Sequence, residues 1–393
     1  MLLKYITKRD RLMLDISQAK NIKKGRGYTM NTGDTHIRDI RICQAVSTLS
    51  RPIADATHDI SKIAFYVLEV ETAAGVTGQG YLLSFHYSPN AIEGALRDMK
   101  KFVLERDYQI YETAQVQKDY EIESEYFGIV GLQRWALATL NVAMWDAWSR
   151  TLGQPIYRMF GCHRKSIPVY GSGGWLSYSD EELVAEVVNY KKRGFTAVKI
   201  KVGSPQMERD IRRLHLVREA VGPDLKIMMD ANQGMDVPSA VKLISSVEDI
   251  GIFWFEEPVV NTDFDGYATI HSKTKVSLAM GEREYSDVAL RELIGRNALD
   301  LWQPDIIRLG GVEAWRDSAA LANAHNIPVL PHYYKDYDVP LLCTVANPYG
   351  AESFDWIDGI IDKPMVIENG FAHPREGEGW GFRFLHEFMS EVR

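Results

Sequence analysis

Two lysines one residue apart, in Val198-Lys199-Ile200-Lys201-Val202, open the stretch where this chain concentrates its chemistry. In a β-strand alternate side chains share a face, so Lys199 and Lys201 point the same way. Paired ammonium groups repel, which lowers the pKa of each and leaves one better able to act as a base near neutral pH. Taken alone, the pair fits an edge strand with two solvated lysines better. Downstream, apolar runs end in carboxylates: Ile227-Met228-Met229-Asp230, Ile252-Phe253-Trp254-Phe255-Glu256 and Val276-Ser277-Leu278-Ala279-Met280-Gly281-Glu282. From Asp230 to Glu256 and from Glu256 to Glu282 the interval is 26 residues. One strand, one helix and two loops of a βαβ unit fill such a length. Acids at the carboxyl ends of successive parallel strands converge on the top of a (β/α) barrel, and converging carboxylates need a cation. Oxygen donors alone favour Mg²⁺ over Zn²⁺.

The beat continues through Leu301-Trp302-Gln303-Pro304-Asp305, Pro328-Val329-Leu330-Pro331-His332 and Ala351-Glu352-Ser353. An Asp on one barrel strand beside a His on the next fixes the imidazole tautomer and raises its basicity. A lone His at a strand end is ordinarily structural or solvated. A whole series of strand-end groups in one register is not.

Lys199, Lys201, Asp230, Glu256, Glu282, Asp305, His332 and Glu352 together resemble the active-site set of the enolase superfamily, in its mandelate racemase subgroup. The resemblance runs from near Thr35 to the C-terminus. It implies an α/β fold, a (β/α)7β modified TIM barrel with an N-terminal α+β capping domain. It also implies one Mg²⁺ per subunit on Asp230, Glu256 and Glu282, with Lys201 and His332 as opposed acid/base groups. Asp305 would pair with His332, Lys199 would tune Lys201 and contact the substrate carboxylate, and a protonated Glu352 would hydrogen-bond that carboxylate. Asp305 stands where the muconate-lactonizing and dipeptide-epimerase types carry a third barrel lysine, which argues against them.

With 393 residues the chain is ample for a barrel plus a smaller domain. Hydrophobic content of 46% and charged content of 25% are those of a globular protein. The net charge of −8 argues against general binding of nucleic acid or anionic membranes. Cys43, Cys162 and Cys343 are odd in number and far apart, which suggests neither a disulfide framework nor a zinc site. A reducing cytoplasm fits, since neither a membrane span nor a signal-peptide core is evident. The expected partners are a small-molecule carboxylate and further copies of the chain in a homo-oligomer.

Residues 1–34, with the basic cluster Lys20, Lys23, Lys24 and Arg26, read as an N-terminal extension packed on a neighbour. The capping domain is expected over 35–165, the barrel over 166–355, and a segment returning to the cap over 356–393. Strands are expected at Ile37–Ile42 and Ile63–Val70, and helices at Asn90–Glu105 and Gly131–Thr151. In the second helix Trp135, Leu137, Leu140, Met144 and Trp145 read as core. By the resemblance, the stretches Arg51–Lys62 and Gly78–Tyr87 are loops that close over the substrate. The barrel should start at Ile167-Pro168-Val169-Tyr170, followed by the turn Gly171-Ser172-Gly173-Gly174. Ser179-Asp180-Glu181-Glu182 is a capping box whose helix should end at Gly194. Gly222 should stop the next helix, whose Arg209, Arg212 and Arg213 read as a solvated outer face. Further barrel helices are expected over Val241–Val247, Val288–Ile294 and Ala314–Ala324.

By the resemblance, such a site would remove a proton α to a carboxylate and pass through an enediolate. Simple reprotonation makes a racemase or epimerase of a 2-hydroxy acid; loss of a β-hydroxyl makes a dehydratase. The cap stretches offer Asp55, Thr57, His58, Asp59, Lys62, Ser84, His86 and Tyr87, a polar set suited to a polyhydroxylated ligand. Tyr170 to Gly174 resembles the corresponding loop of talarate/galactarate-type acid-sugar dehydratases. The reading is therefore a Mg²⁺-dependent dehydratase that converts an acid sugar, best a galactarate- or talarate-like diacid, to a 2-keto-3-deoxy acid. A carboxylate-binding protein without catalysis is the third reading. Substrate contacts are expected from Ser172, Asn232, Arg283, His58, His86 and Tyr87, with Glu284 and Tyr333 to Asp338 as further candidates. Ser172 reads equally as a turn serine, and Arg283, Glu284 and Tyr333 to Asp338 equally as solvated loop residues.

Overall fold

The computed structural model describes residues 33–392, so the expected N-terminal extension lies outside the described residues. The chain opens with an antiparallel sheet of β1 (Ile37–Ser47), β4 (Ile63–Thr72) and β5 (Thr77–Leu83), with the hairpin of β2 (Ile53–Ala54) and β3 (Asp59–Ile60) between the first two. Helices α1 (Pro89–Leu104), α2 (Thr113–Ser124) and α3 (Leu132–Thr151) follow, then the short α4 (Ile156–Met159). A Cβ on Gly78 would stand 2.3 Å from the Ala143 carbonyl, and one on Gly80 2.3 Å from that of Thr139. Only glycine lets α3 lie so close to β5.

The barrel alternates β6 (Ile167–Gly173), α5 (Asp180–Lys192), β7 (Ala197–Lys201), α6 (Met207–Val221), β8 (Lys226–Asp230), α7 (Val237–Ser246), β9 (Ile252–Glu256), α8 (Phe264–Lys273), β10 (Ser277–Met280), α9 (Val288–Gly295) and β11 (Leu301–Trp302). After the short α10 (Ile306–Leu309) and α11 (Val312–Ala324), Val329 bridges in parallel to Trp302 and to Pro348 and takes the place of a strand. Helix α12 (Lys335–Leu342) and β12 (Ala351–Ser353) complete it, and β12 pairs in parallel with β6 to close the ring. The C-terminal segment adds β13 (Ile367–Glu368) and β14 (Phe371–Ala372), which extend from β6, and β15 (Met389–Glu391), which pairs with β1 of the cap. Phe384 packs on Phe65 and Tyr81 of the cap.

Cap and barrel are locked by polar contacts. The Tyr337 and Tyr334 hydroxyls accept the backbone N–H groups of Tyr81 and Leu83, each at 2.9 Å. Glu313 on α11 accepts from Asn141 and from the Trp145 indole of α3. These bonds hold the end of β5 over the mouth of the barrel.

Several local expectations change. Gly78–Leu83 is strand, because it completes the cap sheet against β4, and only the residues from Ser84 onward form the loop. Gly171–Gly173 is also strand, paired with both β7 and β12, so the turn begins at Gly174. Residues 333–338 are not a solvated loop: they are buried and lead into α12. Lys335 is paired there with Asp358, and Asp336 with Arg375. Of Arg209, Arg212 and Arg213 on α6 only Arg212 faces solvent. Arg213 is buried and donates to the carbonyls of Gly174, Trp175 and Tyr178, and Arg209 donates to those of Leu176 and Tyr178. The bend after β6 takes these carbonyls out of the regular ladder: that of Gly174 keeps the Lys201 N–H at 3.3 Å and that of Trp175 the Tyr178 N–H at 3.0 Å, and the arginines supply further donors. The capping box at Ser179 and the stop at Gly194 form as expected. Helices α2, α4, α8, α10 and α12 have no counterpart in the sequence reading.

Candidate active site

Lys199 and Lys201 lie on β7, between β6 and β8, and both are buried, which excludes the solvated edge strand. Their Nζ atoms reach carboxylates: Lys199 meets Glu256 at 2.5 Å and Glu352 at 2.7 Å, and Lys201 meets Asp230 at 2.5 Å. The expected lowering of the lysine pKa values is reversed here. Burial works against the charged form of Lys199, yet Glu256 and Glu352 carry it well above the ordinary lysine range. Burial and Lys199 both oppose the charge on Lys201, but Asp230 still raises it. Mutual repulsion between the amines is the weaker effect because each has an anion at contact distance.

Opposite them, His332 Nδ1 stands 2.8 Å from Asp305 Oδ2, and its Nε2 is 3.4 Å from Glu282 Oε2. The second oxygen of Asp305 accepts the N–H groups of Ile307 and Arg308, at 2.8 and 2.9 Å, capping α10. One carboxylate thus fixes the imidazole and is itself fixed by the backbone. Burial lowers the basicity of His332, and Glu282 and Asp305 together more than restore it, so its pKa is raised.

Glu352 accepts the Tyr333 N–H at 2.8 Å on the oxygen that Lys199 does not use. Burial favours its protonated form, but Lys199 and His332 hold it down at about 2. In this arrangement Glu352 is held as an anion that accepts hydrogen bonds, whereas the expected hydrogen bond to a substrate carboxylate would need its protonated form.

Asp230, Glu256 and Glu282 all sit at strand ends on the same side of the barrel, but each is turned to a basic partner. Among the described residues, no three Asp, Glu, His or Cys side chains are grouped so as to hold a metal ion as they stand. The donor set itself fits a hard cation. Burial lifts Glu256 to about 8, with Lys199 opposing and Asp230, Glu352 and Glu282 adding to it. Its neighbour Glu257 is lifted to about 8 as well, by burial and by Glu282. Excess buried negative charge of this kind is what a divalent ion relieves. The backbone after these acids is also strained: Asn232, Gln233 and Glu257, and Tyr333 after His332, have φ of 42°, 65°, 36° and 63°. Left-handed non-glycine residues each cost on the order of 1–3 kcal/mol and persist where surrounding structure forces them.

Above the acids lies a cavity of about 390 Å³ into which Lys201, Glu282, Asp305, His332, Glu352 and Asn232 all open. From the cap it is lined by Asp55, His58, Ser84 and Tyr87 among the expected residues. Other expected contacts are placed elsewhere. Arg283 turns to Glu257 at 2.9 Å, because that buried carboxylate has no other cation. Ser172 is held on β6 beneath the cavity and its hydroxyl has no partner. His86 lies against the Tyr87 ring outside the lining, and Thr57 donates to the Asn232 carbonyl. Trp135, expected as core, lines the cavity, with the Arg308 guanidinium over its ring. Trp175, Tyr333, Phe354 and Trp356 make an aromatic wall, with Lys201 Nζ 5.4 Å from the centre of the Trp175 ring. The sequence offered two signals for these residues that were not used: Trp175 directly follows the glycine turn, and Arg308 follows Asp305 by one helical turn.

Residues 182–388 match the family described as Enolase C-terminal domain-like, and residues 37–161 match the Mandelate racemase / muconate lactonizing enzyme, N-terminal domain. The L-talarate/galactarate dehydratase of Salmonella typhimurium is 27% identical over 358 residues, 89% of this chain and 89% of its own. Its structure liganded with Mg and L-lyxarohydroxamate superposes with a TM-score of 0.85 at 25% identity, over 94% of this chain and 97% of that one. The arabinonate dehydratase of Saccharolobus solfataricus is 30% identical over 339 residues, 83% of this chain and 89% of its own. The D-galactarolactone cycloisomerase of Agrobacterium fabrum is 29% identical over 367 residues, 88% and 95% of the two chains. With a capping sheet and barrel of this topology and both family domains matched along its length, the chain belongs to the enolase superfamily, in its mandelate racemase branch.

Proposed function

We propose that this protein is a Mg²⁺-dependent acid-sugar dehydratase that removes water across C2 and C3 to leave a 2-keto-3-deoxy acid. The observation that carries the reading is the facing pair, Lys201 on one wall of the cavity and the Asp305-anchored His332 on the other, with three strand-end acids between them. Asp230, Glu256 and Glu282 would hold the ion after turning from their basic partners. When bound, Mg²⁺ supplies positive charge to the substrate carboxylate and so makes the adjacent C–H more acidic.

The chain's own groups then move the protons. Lys201, once Asp230 no longer holds its ammonium charge, takes the proton from C2. The electron pair left on C2 forms the C2–C3 double bond as the C3–O bond breaks. His332, charged through its contact with Asp305, gives its Nε2 proton to the departing hydroxyl, which leaves as water. The enol so formed tautomerises to the ketone. Lys199 contributes a fixed ammonium beside Glu256 and Glu352 and so favours the substrate's carboxylate. The aromatic wall of Trp175, Phe354 and Trp356 keeps bulk water from the reacting carbon.

Screening the Mg²⁺-loaded protein against mono- and diacid sugars, with semicarbazide to detect 2-keto acids, tests the reading. The expected result is a keto acid from at least one acid sugar. A second reading, a racemase of a 2-hydroxy acid, draws on the apolar side chains of the cap that face the cavity. Its signature is α-proton exchange with solvent deuterium on a 2-hydroxy acid while no acid sugar gives a keto acid, and that outcome would overturn the dehydratase.

A further inference from the structure

The bend that follows β6 is anchored from below by a carboxylate with no part in the proton transfers described above. Glu186, on α5 and partly buried, accepts the Gly174 N–H at 2.6 Å. A Cβ on Gly173 would stand 2.3 Å from the Glu186 carboxylate, so only glycine lets the acid come this close to the backbone. Gly174 is itself left-handed, with φ of 61°, and among the described residues its N–H has no other acceptor. From there the chain carries Trp175 into the cavity wall, where the centre of its ring lies 5.4 Å from Lys201 Nζ. The same bend reaches the cap: the Leu176 N–H donates to the Ala54 carbonyl at 2.8 Å, and the Ala54 N–H to the Ser177 hydroxyl at 3.2 Å. Glu186 thus holds the root of a segment that lies against both the reacting lysine and the hairpin bearing Asp55 and His58.

The geometry points to Glu186 as a positioning residue: its carboxylate fixes the bend that lays Trp175 over Lys201, and the neutral acid loosens that hold. The inference rests on the reading in which Lys201 takes the C2 proton. A charged acceptor binds an N–H about twice as strongly as a neutral one. Burial lifts Glu186 from the ordinary 4.5 to about 7, against the Gly174 N–H, the Tyr178 hydroxyl and Arg213, which all favour its charge. The other ionisable groups that face it keep one charge state through the neutral range. Tyr178 on the bend is raised to about 12, Tyr190 on α5 stands well above the ordinary tyrosine range, and Arg213 on α6, lowered to about 10, stays a cation. Glu182, one turn back on α5, is paired with Arg51. Of these groups only Glu186 changes charge near pH 7.

The test follows Trp175 and turnover in the Mg²⁺-loaded full chain on either side of pH 7. The emission of Trp175, taken as the difference between the protein and its Trp175→Phe variant, should shift with a midpoint near pH 7. The same difference taken in a Glu186→Gln background should show no such transition. In turnover, the ratio of kcat between the native protein and Glu186→Gln should rise from near one below the midpoint to about threefold to tenfold above it, with KM little changed. A merely structural role would leave that ratio constant, because the amide keeps the size of the carboxyl at every pH. No emission shift in the native protein, the same shift in a Glu186→Gln protein that circular dichroism shows folded, or a ratio independent of pH would each overturn the inference. If no acid sugar gives a keto acid, the dehydratase reading fails, and the emission of Trp175 decides the inference without turnover.

Discussion

The barrel mouth and the cap face each other across one cavity, yet they are built on opposite terms. At the barrel mouth, Lys199, Asp230, Glu256, Glu282 and Glu352 are buried with charges in contact, and four residues nearby hold a left-handed backbone. In the cap, Asp55 and Tyr87 are bonded to the cap's own backbone, and the surface facing the cavity is largely hydrocarbon with His58 and Ser88 set into it. Stored electrostatic tension and strain mark the half that does the chemistry. The relaxed half selects what enters. If that division is right, substitutions in the barrel should act on kcat and on metal binding, and substitutions in the cap on KM and on preference among substrates.

The largest effects are expected at the facing acid/base pair. His332→Asn and Lys201→Met should each lower kcat by a factor of about 10² to 10⁴ while circular dichroism stays unchanged. Exchange of the α-proton with solvent deuterium separates their roles: it should persist in His332→Asn and vanish in Lys201→Met. Exchange lost in His332→Asn and kept in Lys201→Met would invert the assignment. Next come the acids. Chelation should abolish activity, and Asp230→Asn or Glu256→Gln should remove the rise in unfolding temperature that Mg²⁺ gives the native protein. A metal bound at one hundred times its Kd stabilises by about 2.7 kcal/mol. Full activity in each single variant would dismiss the metal site.

A smaller and more diagnostic effect is the pH dependence of stability without metal. Glu256 and Glu257 are each lifted from the ordinary 4.5 to about 8, so the folded protein keeps protons that the unfolded chain releases. Their contribution is fully present below pH 4.5 and is lost as pH rises through 8. The raised His332 adds to the same trend, with its share lost as pH rises above the unfolded value near 6.5. The metal-free protein should therefore lose on the order of a few kcal/mol of unfolding free energy between pH 6 and pH 8. Mg²⁺ should flatten that slope, because carboxylates on a cation are already deprotonated. Equal stability at pH 6 and pH 8 without metal would show that the barrel mouth is not under electrostatic tension.

The two halves also differed in how well the sequence disclosed them. In the barrel, each reactive group ends an apolar run, so the interval between groups reports the βαβ repeat directly. That is why Asp230, Glu256, Glu282, Asp305, His332 and Glu352 could be placed on one rim from their numbers alone. The protonation states of Lys199, Lys201 and Glu352 could not, since they depend on which carboxylate lies within 3 Å of which amine. In the cap, residue type was a poor guide, because a polar side chain near a cavity serves either the ligand or its own backbone. Asp55 and Tyr87 look like ligand contacts in sequence but hold the β2–β3 hairpin in shape. Trp135 falls on α3, a helix apolar and buried on most sides, where nothing in the pattern separates a core indole from one that lines a cavity. Arg213 was misread for a similar reason: the carbonyls it serves belong to a bend that periodicity does not register.

Arg213 and His86 set the lower end of the comparison. Arg213→Met removes a donor from the carbonyls of Gly174, Trp175 and Tyr178, which keep the N–H groups of Lys201 and Tyr178 and the Arg209 guanidinium, so the loss of stability should be about 1–3 kcal/mol in all. Trp175 is carried on that bend and covers Lys201, so a modest fall in kcat, about threefold to tenfold, should accompany the loss of stability. His86 is the counter-case. Its ring lies tilted against Tyr87 at 4.2 Å between centroids, and among the described residues its Nδ1 meets only the Ser61 N–H, at 3.5 Å. It does not line the cavity, so His86→Ala should leave kcat unchanged and move KM by less than about threefold, the scale of a surface substitution. A loss of kcat of tenfold or more in His86→Ala, with stability preserved, would mean that the loop after β5 folds inward on the bound substrate. The cap would then contribute chemistry as well as selection, and the division between the two halves would fail at that residue.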